Sequence, residues 1–249
     1  MALNEVPPKK RKAILVISPH ELDRLGYTPG GSELLLSEQV HLLVPSYVIT
    51  DDLEERLDSS GFLEPGNLLI QSPYNNSDYV ILSKASSIFA LTKYLHFTTL
   101  CKLLGAREVT VEQIEVRTLT GKQIFKGSVN SLYADGSIEA VNRTFEEIRN
   151  DIKLKSTFGG DDPNLEEAEA HLRQYQLLND ISMKSLIDQR KGRNPIKSRE
   201  ITLNLSEESK RNLQIVGNIK FPVYANLQAQ IEKVRQEVYE FTLMIKVEF

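Results

Sequence analysis

The sequence predicts an α+β fold, with an antiparallel sheet and covering helices in the C-terminal part and a mixed helix/hairpin region before it. Three observations point there. The last ten residues, EFTLMIKVEF, alternate strictly, placing Phe241, Leu243, Ile245, Val247 and Phe249 on one side. The stretch REVTVEQIEVRTLTGKQIFKG alternates too, and Thr120-Gly121 in its middle reads as the turn of a hairpin. Between such strands lie segments of helical period, of which FPVYANLQAQIEKVRQEVYE is the clearest, with Tyr224, Leu227, Ile231, Val234 and Val238 at three-four spacing. The expected division is residues 1–105 for the mixed region and 106–249 for the sheet with its helices, the two forming one continuous domain as the alternative.

Taken in order, AILVIS is the first strand and follows the basic cluster of Lys9, Lys10, Arg11 and Lys12. SELLLSEQVHLLVP reads as a helix ended by Pro45. TDDLEERLDSSG reads as a short helix, with Thr50 or Asp51 as cap, acids in its first turn and Gly61 at its end. NLLIQS and DYVILS flank PYNN and suggest a hairpin. SSIFALTKYLHFTTLCKLLG is apolar on nearly all sides, the pattern of a helix buried all round. Past Gly105 the period becomes two, and the phase slips at Gln113, which suggests a β-bulge. DIKLKS and EITLNLS are further strands. DDPNLEEAEAHLRQYQLLN is a helix with Asp162 as cap and Pro163 at its first position, and another helix starts at Ser206. TFGGDDPN reads as the most flexible joint of the chain.

Composition bounds the function. The chain has 249 residues, 41% hydrophobic and 26% charged, with a net charge of −4, so bulk electrostatics does not favour a polyanion and any such affinity needs a local patch. Cys101 is the only cysteine, which fits a reducing, cytoplasmic setting, or a nuclear one in a eukaryote. Five apolar residues after the basic cluster are too few for a secretory core segment, and Lys93 inside the longest apolar stretch argues against a membrane-spanning helix.

No motif carries chemistry of its own. His20, His41, His96 and His171 show no metal-ligand spacing and read as unrelated, so no metal is expected. Cys101 lies in the most apolar helix and reads as a core residue. The two Gly-Gly pairs lack phosphate-loop spacing, and no cofactor is expected. Asp151-Ile152-Lys153, with Asp135 and Glu147 upstream, has the parity of a metal-dependent nuclease strand, because residues two apart share a face. Two basic segments are the candidate polyanion sites: Lys9, Lys10, Arg11 and Lys12, which also resemble a nuclear-import signal, and a loop carrying Arg190, Lys191, Arg193, Lys197 and Arg199. The leading expectation is a non-enzymatic intracellular protein that binds a macromolecular partner, a protein before a nucleic acid or an anionic membrane. The alternatives are a membrane-active pore former, from the amphipathic strands at 151–156 and 200–206, and the nuclease.

Overall fold

The computed structural model describes residues 7, 9–45, 52–117, 122–126, 131–135, 151–152, 154–222, 224–236 and 240–249. It is α+β, and its contacts divide the chain into two compact units, residues 1–85 with 208–237 and residues 86–207 with 238–249.

In the first unit a four-stranded sheet has β1 (Ala13–Val16) at its heart. β1 runs parallel to β2 (Val40–Leu43) and antiparallel to β3 (Leu68–Gln71), which pairs with β4 (Tyr79–Ile81) in the expected hairpin. A parallel pair needs a crossover, and α1 (Pro19–Leu25) and α2 (Gly31–Leu35) supply it. Ser18 and Glu21 form a capping box that starts α1. The Pro-Gly-Gly turn before α2 is sterically specified: Gly30 has φ +81°, and a Cβ on Gly31 would sit 1.9 Å from the Leu25 carbonyl oxygen. The segment read as one helix up to Pro45 is therefore a short helix and then a strand. A strand buried in a parallel pair reads as a continuous apolar run, which periodicity alone does not separate from a helix.

Helix α3 (Asp52–Ser59) forms where expected and sets Leu57 into the core with Ile14, Val16, Leu43, Leu69 and Tyr79.

In the second unit α4 (Ala85–Leu103) leads into a fully antiparallel sheet of order β7-β6-β5-β10-β9. Its strands are β5 (Glu108–Arg117), β6 (Lys122–Lys126), β7 (Ser131–Asp135), β9 (Ser198–Asn204) and β10 (Glu240–Glu248), and β8 (Lys155–Thr157) adds to β5 beyond the end of β6. The turn expected at Thr120-Gly121 lies outside the described residues. The bulge is real: Met244 pairs with Gln113 and Ile245 with Val111, so Glu112 is the extra residue. That one residue changes the parity of β5 and brings Val109, Val111, Ile114 and Val116 to one face. Beside them on β10 lie Phe241, Leu243, Ile245 and Val247, and these in turn pair with β9, whose Ile201 and Leu203 are also buried.

Between β8 and β9 come α5 (Leu165–Gln174) and α6 (Ile181–Arg190). The cap of α5 is Asn164, two residues later than expected, because its side chain rather than that of Asp162 accepts the Glu167 N–H. The joint before α5 is bonded down: the Phe158 and Asn164 amides donate to the Arg107 and Leu103 carbonyls. Gly105, at φ +76°, leaves room there for the Asp161 carbonyl oxygen, 2.0 Å from where a Cβ would be.

Helices α7 (Glu207–Gly217) and α8 (Ala225–Gln236) follow. Past residue 207 they belong to the first unit, where the Asn212 amide donates to the Gln71 carbonyl at 2.9 Å. Of the expected apolar stripe, Leu227 and Ile231 are buried, Tyr224 and Val234 are half-buried, and Val238 lies outside the described residues. Helix α4 is buried on one face instead of all round. Phe89, Ala90, Lys93, Tyr94, Phe97, Leu100 and Cys101 turn inward, while Leu95 is 53% exposed. The outer face is tolerable in water because Thr92, Thr98 and Thr99 line it.

Candidate functional site

The fold engages part of each basic segment and leaves the rest exposed. Arg190 ends α6 and is only 9% exposed. Its guanidinium donates to the Leu104 carbonyl at 3.0 Å and the Ile196 carbonyl at 2.7 Å, and lies 4.2 Å from the centre of the Phe249 ring. One arginine thereby ties the ends of α4, α6 and β10, and the turn formers after it do not make it a loop residue. Lys191 is paired with Glu169 at 2.8 Å and Asp188 at 3.1 Å. Arg199 is half-buried and donates to the Ser185 hydroxyl at 2.9 Å. Arg193 and Lys197 stay exposed. In the first unit Lys9 and Lys10 are exposed, with Lys10 paired to Glu38 at 2.9 Å. Arg11 is 8% exposed, and Lys12 is half-buried with its ammonium on the Gln71 side-chain oxygen at 3.1 Å. The first half of this cluster is thus exposed at a turn and its second half is folded in.

The nuclease parity does not survive either. Asp151 is in helical conformation, the strand begins only at Lys155, and Lys153 lies outside the described residues. The same start point removes the amphipathic strand expected at 151–156. Among the described residues no three His, Cys, Asp or Glu side chains converge as metal ligands, and no helix is long and apolar enough to cross a membrane. Cys101 is fully buried, and burial pushes its thiol far up, away from thiolate character.

Two features were not legible in the sequence. The first is a cluster of ionisable groups between α4 and α5–α6. Lys93, 0% exposed, meets the Asp180 carboxylate at 2.8 Å. The other oxygen of Asp180 caps α6 by accepting the Met183 N–H at 2.9 Å. One turn on from Lys93, His96 meets His171 and Tyr175 of the α5 region, with ring centres 5.2 and 4.0 Å away, and His171 and Tyr175 are 4.9 Å apart. Two of the four histidines are therefore neighbours, which their separation of 75 positions conceals. Burial, with His171 adding to it, lowers His96 to about 4, and burial lowers His171 as well. Both are neutral at pH 7.

The second feature is apolar. At the first position of α6, Ile181 is 85% exposed, with Leu178 exposed just before it. They border a shallow open depression of about 510 Å3 that Asn179, Lys184, Ser185, Asp188 and Gln189 also line. The outward face of α6 thus begins in two large aliphatic side chains and continues in charges of both signs.

In the first unit Glu21 accepts from both Ser18 and Tyr224. Burial opposes ionisation of Glu21, but these bonds outweigh it and hold the carboxyl below its usual range. The arrangement joins α1 to the segment before α8 and reads as structural. No family model, no curated protein and no solved structure matches the chain.

Proposed function

We propose that the chain is an intracellular protein that works by binding a protein partner, with the start of α6 as the docking face. The carrying observation is the exposure of Ile181 beside Leu178 at the lip of the α6 depression. Single exposed aliphatics are ordinary; two adjoining ones around a concavity are what a partner's apolar side chain needs. The mixed charges of Lys184 and Asp188 along the same face suit a protein surface, since Asp188 would repel a polyanion. The engagement of Arg190 and Arg199 within the fold points the same way, for of that segment's cations it leaves exposed only Lys191, itself paired with Glu169 and Asp188, together with Arg193 and Lys197. A buried free thiol at Cys101 is compatible with a reducing compartment.

The test compares wild type, Ile181→Asp and Arg193→Glu/Lys197→Glu, as purified full-length chains, for capture of proteins from cells of origin and for binding to DNA, RNA and anionic vesicles. Burying one isoleucine contributes about 1.5–3 kcal/mol, so Ile181→Asp is expected to weaken capture of a specific protein by roughly 10- to 100-fold. The double charge reversal should leave that capture unchanged. Binding to nucleic acid or vesicles that only the double reversal abolishes would overturn the reading in favour of a polyanion, as would captured proteins indifferent to Ile181.

A further inference from the structure

We propose that His96, His171 and Tyr175 form an acid-sensitive latch, which pins α5 to α4 while both imidazoles are neutral and releases it when both carry protons. The geometry carries this. Three rings from two helical segments meet with centres 4.0–5.2 Å apart, and the two imidazoles stand edge to face at 62°. His171 makes a hydrogen bond to the His96 backbone, while its Nε2 is buried with no hydrogen-bond partner. Nδ1 is then the nitrogen engaged, and Nε2 is where a second proton must add. A buried N–H without an acceptor costs about 1–3 kcal/mol.

Among the described residues, the charges named for this cluster do not rescue two imidazolium ions. From α5, Glu167 favours a charged His171, but it is also held by the Asn164 amide at 2.9 Å. Tyr175 offers its ring to His96, and such a contact favours one cation by only about 0.5–1 kcal/mol at a partly exposed site. One turn before His96, α4 carries Lys93, a cation, whose carboxylate partner Asp180 at the α5–α6 turn is already engaged by it and by the Met183 N–H. One proton can be accommodated; the second meets a like charge at ring-contact distance.

The direction follows from linkage. A histidine lowered in the folded state binds fewer protons there than in the open state, where it titrates near 6.5. The contact is fully stabilising above about 6.5 and weakens as pH falls towards the folded value of His96, about 4. Neutral pH therefore keeps the latch shut, and the pH 4–6 range of acidified compartments opens it.

Long-range 1H–15N spectra of the wild-type chain, titrated from pH 7.5 to 4, read both imidazoles directly. At least one should titrate below about 5.5, in two coupled steps, with His171 as its Nδ1–H tautomer at pH 7. Hydrogen exchange, corrected for the intrinsic rate, should show amides of residues 165–174 opening on the order of ten times more often at pH 4.5 than at 7. A histidine that titrates a full pH step lower when shut than when open favours opening tenfold once the pH is low enough. Opening should stay local, with β10 amides still protected. His96→Phe and His171→Phe keep a ring and remove the proton, so each should flatten the pH dependence of α5. Independent titration of both rings near 6.5 overturns the latch, and this measurement needs no variant to fold. Acid opening shared by the whole second unit, or unchanged in both phenylalanine variants, overturns it too.

Discussion

Replacing Lys93 by methionine isolates what the buried ion pair does. Methionine keeps the unbranched stem and the apolar packing of α4 and removes the ammonium, which has no solvent exposure and lies 2.8 Å from Asp180. Breaking one side of a buried pair typically costs about 3–5 kcal/mol, because the remaining charge is stranded. Here one carboxylate oxygen of Asp180 keeps its bond to the Met183 amide, so only the other is stranded and the lower end, about 3 kcal/mol, is expected. For a chain of this size that lowers the melting temperature by about 6–12 °C. Adding Asp180→Asn should restore most of the loss. Asparagine still offers the capping oxygen to Met183 and leaves no orphaned charge, so Lys93→Met/Asp180→Asn should fall within about 1 kcal/mol of wild type. Calorimetry and urea melts of the four proteins close the cycle. A Lys93→Met variant within about 1 kcal/mol of wild type, or a double variant no better than Lys93→Met alone, would refute the reasoning.

Three further outcomes follow from the same geometry. Leu243→Ala, in the middle of β10 with no exposure, should cost about 2–5 kcal/mol in urea melts, while Met244→Ala next to it, 39% exposed, should cost far less. Gly105→Ala should destabilise well beyond the roughly 1–2 kcal/mol of a left-handed alanine, because its Cβ meets the Asp161 carbonyl; Gly192→Ala, at φ +87° with nothing within 4 Å, should cost only that strain. Thiol reagents should label Cys101 only as fast as the second unit opens, whereas rapid stoichiometric labelling of the folded chain would contradict its place in the core.

The sequence made the periodic elements legible and hid whatever depended on distant partners. The alternation of β10, the phase slip in β5 and the 68–81 hairpin were all readable, because a half-buried antiparallel strand writes its face into every second residue. The β2 strand was not, since Val40, Leu42 and Leu43 are all buried and leave no alternation. Lys93 interrupted an apolar helix and signalled only that the helix does not cross a membrane; its partner lies 87 positions away at a helix cap. The same limit concealed the meeting of His96 with His171.

Arg190 shows why the candidate site moved. Arg190, Lys191, Arg193, Lys197 and Arg199 fall within ten residues around Gly192 and Pro195, and local composition supports an exposed cationic loop. Composition does not record where the helix ends. Because α6 runs on through Arg190, that side chain projects from a helix and not from a loop, and the carbonyls of Leu104 and Ile196 with the ring of Phe249 are there to receive it. A guanidinium so placed supplies donors to one buried and one half-buried backbone acceptor. Arg190→Glu should therefore unfold the junction of α4, α6 and β10 instead of weakening a ligand. Arg193→Glu, on the exposed turn, should leave the melting temperature within about 0.5 kcal/mol equivalent of wild type. Circular dichroism melts of these two variants separate a structural arginine from a surface one. Equal, small effects in both would return the whole segment to the solvent and restore it as a polyanion site.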